Sequence, residues 1–361
     1  MKATQRLHEA GQSLWLDHIT RGLLTGGGLA RYIAELSVTG LTSNPTIFDH
    51  AIRSTPDYDA AIRAGAAAGR TGEDLFFDLA LEDLTRAADL FRPVHEATNG
   101  VDGWVSLEVS PKLAYDAAST VAEAMALFAR AARPNLFIKI PGTREGLAAI
   151  EETIFAGVPV NVTLLFSREQ YLAAAYAYLR GIERRVAAGR NPLVPSVASL
   201  FVSRWDVAVA GKVPPALEGR LGIAMAKRTY KAYCELLASD RWLRLLNFGA
   251  RAQRLLWAST GTKDPKASDV LYVSALAAPH TIDTMPEKTL LAFAEHGTVG
   301  PLLPHDGGDA EAVLDEFVRA GIDLDALAAQ LQREGAAAFV ASWDELLACL
   351  AEKSTALRRA G

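Results

Sequence analysis

Eight short apolar, β-branched runs alternate along this chain with long alanine- and leucine-rich segments, and that rhythm limits the folds open to it. The runs are Leu14–Ile19, Gly40–Ile47, Trp104–Val109, Leu136–Ile140, Val158–Phe166, Val197–Val202, Leu255–Thr260 and His280–Thr284. Between most of them apolar residues recur every three or four positions, as on a helix with one buried face. Glu73–Phe91 (after a capping Thr71), Pro111–Ala132, Arg144–Phe155, Arg168–Ala188, Ala216–Ser239 and Ser268–Ala278 have this pattern. Strands alternating with helices build βαβ units and a parallel sheet. Eight such units predict an α/β fold, the (β/α)8 TIM barrel, which needs roughly 250 residues. The chain has 361, so about 110 are left for additional helices and a tail. Asp309–Gly361 is helical by pattern, with a capping-box signature at Ser342 and Glu345. No proline- or serine-rich linker divides the chain, and no repeat appears beyond the βα rhythm. The expectation is a single barrel domain over residues 1–361, with N-terminal and C-terminal helical additions.

Composition narrows the function classes. Half the residues are hydrophobic and the net charge is −5, which suits a large core and not a protein that coats nucleic acid. Cys234 and Cys349 are the only cysteines, too few for a disulfide framework or a zinc cluster. They fit a reducing compartment such as the cytoplasm. The first residues, MKATQRLHEAGQSLWLDHI, are polar where a secretory leader is apolar, and no run approaches the roughly 18–20 apolar residues of a membrane span. Arginine outnumbers lysine 27 to 10, so each lysine's position carries information.

Barrel function collects at the C-terminal ends of strands, and a polar residue inside a strand costs free energy unless it is paired. Lys139 is the only lysine embedded in an apolar β-run, FIKIP. Burial disfavours its ammonium form, and a neutral amine attacks a ketone or aldehyde to give a Schiff base. The alternatives are pairing with a buried carboxylate, or an edge strand that points the amine to water. Asp17 and Glu108 each sit in an apolar run, either as an acid/base pair or as counter-ions for Lys139 or Arg204. Asn161 and Thr163 alternate and so share a strand face, although Thr163 is also an ordinary β-former. Asn44, before Pro45, reads equally as a turn-former. Arg204 follows the sixth run, and Ser259-Thr260-Gly261-Thr262-Lys263 follows the seventh, where barrels hold phosphate; the other reading is a solvated basic loop. The triplet Gly26–Gly28 lacks the lysine and context of a nucleotide loop, the seven histidines show no metal-ligand spacing, and no serine-hydrolase elbow appears.

At these positions the chain resembles the transaldolase family, within the class I Schiff-base aldolases. The segments GLTSNPTIF, VSLEVSPKLAYD, LFIKIPGTREGLAAIE, VNVTLLFS, SVASLFVSR and LLWASTGTKDP carry the likeness in order and spacing, and WASTG with Met285-Pro286-Glu287 is similar to the longer bacterial form. The resemblance implies transfer of a dihydroxyacetone unit from sedoheptulose 7-phosphate to glyceraldehyde 3-phosphate, without metal or cofactor. It implies Lys139 as the Schiff-base lysine and Asp17 as the group handling the C4 hydroxyl proton. By the same resemblance Glu108 with Thr163 would hold the water used in making and breaking the imine, Asn44, Asn161 and Ser199 would line the dihydroxyacetone pocket, and Arg204, Ser259 and Lys263 would bind phosphate. Sugar phosphates are then the partners, with no nucleic acid and no membrane, for a monomer or homodimer. Two departures stand out. His18 follows Asp17 where many relatives have threonine or serine. Gly261 stands where shorter relatives have an arginine, which leaves that charge to Lys263. An aldolase that releases dihydroxyacetone, and a non-catalytic barrel that binds sugar phosphates, are the competing readings.

Overall fold

The computed structural model describes residues 1–359. Eight strands close into a barrel: β1 (Ser13–Asp17), β2 (Val38–Thr42), β3 (Trp104–Glu108), β4 (Leu136–Pro141), β5 (Val160–Leu165), β6 (Ser196–Phe201), β7 (Arg254–Ala258) and β8 (Ile282–Met285). Every neighbouring pair is parallel, and β8 pairs with β1 to close the ring. This is the (β/α)8 TIM barrel with additional helices that the alternating pattern predicts. Among the described residues no helix is long and apolar enough to cross a membrane.

Alternation along each strand sorts side chains between the barrel interior and the helical layer. The lower interior is filled by Trp15, Trp104, Phe137, Val197, Leu256 and Ile282, which belong to one buried apolar cluster. Trp104 stacks on Phe137 with centroids 4.1 Å apart. Gly40 has to lack a side chain, because a Cβ there would lie 2.5 Å from the Trp15 indole. Two residues further up the same strands stand Asp17, Thr42, Ser106, Lys139, Ser199 and Thr284. The interior therefore changes from apolar to polar toward the C-terminal mouth, which is where a site must lie.

Several boundaries differ from the sequence expectation. The second run ends as a strand at Thr42, and a helix starts at Pro45, because Asn44 caps it by accepting from the Ile47 amide (3.1 Å). Pro111–Ala132 divides into a short 3-10 turn (Pro111–Leu113) and a helix (Ala117–Ala131), whose N-terminus the Asp116 carboxylate caps. The helix expected from Ala216 begins at Leu221, after Gly219 at φ 72°, and the Asp206 carboxylate accepts from its first amides. Ser268–Ala278 is helical only over Leu271–Ala275. Thr71 stands at the N-cap of Gly72–Ala97 but makes no capping hydrogen bond. Ser342 and Glu345 start no helix: they lie inside one that runs from Leu324 to Arg359, because Phe339, Trp343 and Leu346 keep a continuous buried face across them. That C-terminal helix packs on the helix Pro45–Ser54 and on β5, at the barrel mouth.

Candidate active site

The site forms where polar strand residues meet the mouth of the barrel. β3 and β4 set Glu108 opposite Lys139, and β4 and β5 set Lys139 opposite Asn161. Lys139 is only 6% exposed. Its Nζ lies 3.3 Å from Glu108 Oε2 and donates to the Ser43 carbonyl at 3.3 Å. The two sequence alternatives for Glu108 thus meet in one geometry: it is the counter-ion of Lys139 and it stands beside the amine. Burial raises the Glu108 pKa, and the nearby Lys139 opposes this. Among the described residues neither Glu108 oxygen has an aligned hydrogen-bond donor, and the buried Thr163 hydroxyl is also without a partner.

Asp17 ends β1. Thr42 Oγ1 donates to its Oδ1 at 2.9 Å and lies 2.8 Å from Thr284 Oγ1. Burial raises the pKa of Asp17 against lowering by Lys139 and by the Thr42 hydrogen bond. An aspartate shifted upward is better suited to exchange protons near neutral pH. His18, next in sequence, faces Glu287 at 3.9 Å.

Asn161 lies one layer deeper. Its amide donates to Ser106 Oγ (3.1 Å) and its carbonyl accepts from Ser199 Oγ (2.8 Å). Just beyond it β5 shifts register between Val162 and Leu165, with Leu164 at φ 60°. Strain of this kind persists where surrounding contacts over-determine it, and here Gln332 of the C-terminal helix donates to the carbonyls of Leu164 (3.0 Å) and Gly142 (2.9 Å).

Asp17, Asn44, Lys139, Thr163, Ser199, Arg204, Ser259 and Lys263 line one small cavity of about 120 Å³. Glu108 and Asn161 stand behind this lining, each touching a residue that forms it. Arg204 is half-buried on the short helix after β6, and burial lowers its pKa, with no carboxylate among the described residues offsetting the shift. Ser259 follows β7 at φ 57°, with its hydroxyl 2.9 Å from that of Ser203. Lys263 is exposed at the rim, and its charge lowers the pKa of Asp17. Sequence reasoning did not select Thr42, Phe201, Thr284, Pro286 or Phe339, which also line the cavity. Thr42, Phe201 and Thr284 sit on the inward phase of their strands, a signal that was available. Phe339 arrives from the distant C-terminal helix, and no strand pattern marks it. Among the described residues no group of three or more histidine, cysteine, aspartate or glutamate side chains is placed to hold a metal ion.

Comparison with known proteins places this geometry. The sequence model of the transaldolase/fructose-6-phosphate aldolase family matches residues 14–350, from β1 into the C-terminal helix. The chain belongs to this family. It is 47% identical over 353 residues to a protein named transaldolase from Arthrobacter sp. (strain FB24), covering 95% of each chain. It is 46% identical over 361 residues to the transaldolase of Thermobifida fusca (strain YX), covering 98% of each. It is 40% identical over 367 residues to transaldolase 2 of Nostoc punctiforme, covering 96% of each. In this member of the transaldolase/fructose-6-phosphate aldolase family, the matched span holds β1 from Leu14 onward, the other seven strands and every residue of the cavity.

Proposed function

We propose that this protein is a transaldolase that moves a dihydroxyacetone unit between sugar phosphates through a Schiff base on Lys139. The observation that carries the reading is the buried Lys139 amine, 3.3 Å from Glu108, in a cavity that also contains Asp17. The neutral amine adds to the C2 carbonyl of sedoheptulose 7-phosphate. The carbinolamine loses water to give an iminium ion, with Glu108 passing protons and Thr163 helping to hold the water. Asp17 takes the proton of the C4 hydroxyl as the C3–C4 bond breaks, and erythrose 4-phosphate leaves. The bonding pair stays on Lys139 as an enamine, because the iminium is its electron sink. The enamine carbon then attacks the aldehyde of glyceraldehyde 3-phosphate, and Asp17 returns the proton to the new alkoxide. Hydrolysis of the second iminium releases fructose 6-phosphate. The chain's own residues fill the three roles of nucleophile, hydroxyl base and imine shuttle.

Asn44 and Ser199 contact the three-carbon unit, and Asn161 orients Ser199 from below. Arg204, Ser259 and Lys263 hold the phosphate. The raised pKa values of Glu108 and Asp17 support proton exchange by both groups. We place this activity in the cytoplasm, in one barrel domain that acts as a monomer or homodimer. Transfer, as opposed to release, is supported by the transaldolase names of relatives that align over nearly the whole chain.

The test is to incubate the enzyme with fructose 6-phosphate alone, then with erythrose 4-phosphate added, and to assay free dihydroxyacetone and sedoheptulose 7-phosphate. Little dihydroxyacetone without acceptor and rapid heptulose formation with it are expected. Steady release of dihydroxyacetone at the rate of transfer would make the protein an aldolase.

A further inference from the structure

Arg204 is charged and partly withdrawn from water, and among the described residues no carboxylate stabilises it. A guanidinium in such a place is ordinarily paired with an acid. Two aromatic rings stand there instead. The Arg204 guanidinium carbon lies 5.1 Å from the ring centroid of Phe201 and 5.9 Å from that of Phe339. Both distances fall within the reach of a cation–π contact. Phe201 belongs to β6 and reaches the site through the strand. Phe339 does not belong to the barrel. It comes from the C-terminal helix, and its ring also lies 5.7 Å from Lys139 Nζ, so one aromatic side chain forms a wall beside two of the three basic residues that line the cavity.

The helix is built to deliver that ring. Gly335 lies one turn before Phe339 and on the same face. A Cβ on Gly335 would come 2.9 Å from Leu164 Cδ2 and 3.2 Å from Arg204 Nη1, so a side chain there would press on the Arg204 guanidinium that Phe339 faces. Gln332 ties the same face to the ends of β4 and β5. Further along, Ser342 meets Thr46 (2.9 Å) and Trp343 Nε1 donates to Glu73 (2.9 Å). The position of Phe339 is therefore set by a rigid element with several anchors.

An acid beside Arg204 would orient it but would neutralise it and compete with a phosphate for its donors. An aromatic face orients the guanidinium and leaves its charge and its N–H groups for an anion. We propose that Phe339 is a positioning residue that holds Arg204 ready for the substrate phosphate, so that the C-terminal helix helps to determine the enzyme's preference for phosphorylated over free sugars. This rests on the reading of Arg204 as a phosphate ligand.

Phe339→Leu keeps a buried apolar side chain but removes the ring, and Phe339→Tyr keeps the ring. Each should be compared with the parent enzyme and with Arg204→Ala, using glyceraldehyde 3-phosphate and glyceraldehyde as acceptors and inorganic phosphate as inhibitor. In Phe339→Leu the KM for glyceraldehyde 3-phosphate and the inhibition constant for phosphate should both rise, roughly 3- to 30-fold. The KM for glyceraldehyde should rise by less than that for glyceraldehyde 3-phosphate, any change in kcat should be the same with either acceptor, and Phe339→Tyr should resemble the parent. The inference is overturned if Arg204→Ala weakens phosphate binding and Phe339→Leu does not. It is equally overturned if Phe339→Leu raises KM for both acceptors alike, or only lowers the melting temperature. If Arg204→Ala leaves phosphate inhibition unchanged, the phosphate reading of Arg204 falls, and this inference with it.

Discussion

Two cation–carboxylate pairs stand one at each end of the barrel, and they are built differently. Near the N-terminal ends of the strands Arg254 lies 3.2 Å from Asp102. Arg254 also donates to Ser13 Oγ (2.7 Å) and to the carbonyls of Val101 (3.1 Å) and Thr281 (2.9 Å). Asp102 accepts from Ser13 (2.5 Å) and Trp15 (3.3 Å) as well. At the C-terminal mouth Lys139 and Glu108 lie 3.3 Å apart, and neither Glu108 oxygen has an aligned donor. The first pair has its hydrogen-bonding capacity filled by the protein. The second holds a proton-carrying group beside an amine with unused capacity on both. Of the cavities beside the two pairs, the one at the first is larger, about 640 Å³, and the one at the second is about 120 Å³. Size is therefore a poor guide to the chemistry here. Unfilled polar capacity at the strand C-termini is the better one, as expected for a barrel whose lower face serves stability.

The largest contrast should appear when each pair loses its carboxylate function or its cation. Glu108→Gln is expected to lower kcat by roughly 10²–10⁴-fold, the range for loss of a positioned acid/base group, with a smaller loss of stability than Arg254→Met, because glutamine fills the same space and its carbonyl can still accept from the amine. A coupled transfer assay and a urea melt on the same preparation measure both. The reverse pattern should hold for Arg254→Met, which leaves Asp102 buried without its cation: about 3–5 kcal/mol of stability lost, and kcat near the parent value below the melting transition. If Arg254→Met reduced kcat as severely as Glu108→Gln does, the division of labour between the two ends would collapse.

Asp283 sharpens the comparison, because it is an under-satisfied carboxylate outside the cavity. It lies on β8, next to the cavity residue Thr284 and on the opposite strand phase. Thr260 donates to one oxygen at 2.7 Å and the other is unpaired. Burial pushes its pKa up to about 7, against the Thr260 hydrogen bond. The folded protein thus binds this proton more tightly than the unfolded chain, in which the group titrates near 3.8. Its contribution to stability is full below about pH 4 and is lost as pH rises through about 7. Asp283→Asn should therefore match the parent in acid and become progressively more stable than the parent from about pH 4 to 7, by at most ~4 kcal/mol. Urea melts across that range measure it; a parallel pH dependence in both proteins would contradict the assignment.

Much of this was legible in the chain. Each of the eight runs holds a strand, because parallel barrel strands are buried on both faces and so appear as continuous apolar segments. Lys139, Asp17 and Glu108 were conspicuous because each interrupts such a segment. The strand–helix junction at Thr42–Pro45 was misjudged although TSNP carries an N-cap followed by proline, a recognised helix start. Ser342 and Glu345 misled in the opposite sense, since serine and glutamate three residues apart also occur on an uninterrupted helix. Phe339 and the Arg254–Asp102 pair were not legible. Their meaning lies in contacts between residues 135 to 200 positions apart in the sequence, which local pattern does not encode.

The central claim is that Lys139 alone carries the substrate as an imine. Borohydride reduction in the presence of fructose 6-phosphate, followed by peptide mass mapping, tests it most directly. The account predicts one reduced three-carbon or hexose-phosphate adduct, on the peptide containing Lys139, that is absent from Lys139→Arg. That variant should also lose at least ~10⁴-fold in turnover. An adduct on Lys263, the other lysine of the cavity, or labelling that persists in Lys139→Arg, would contradict it.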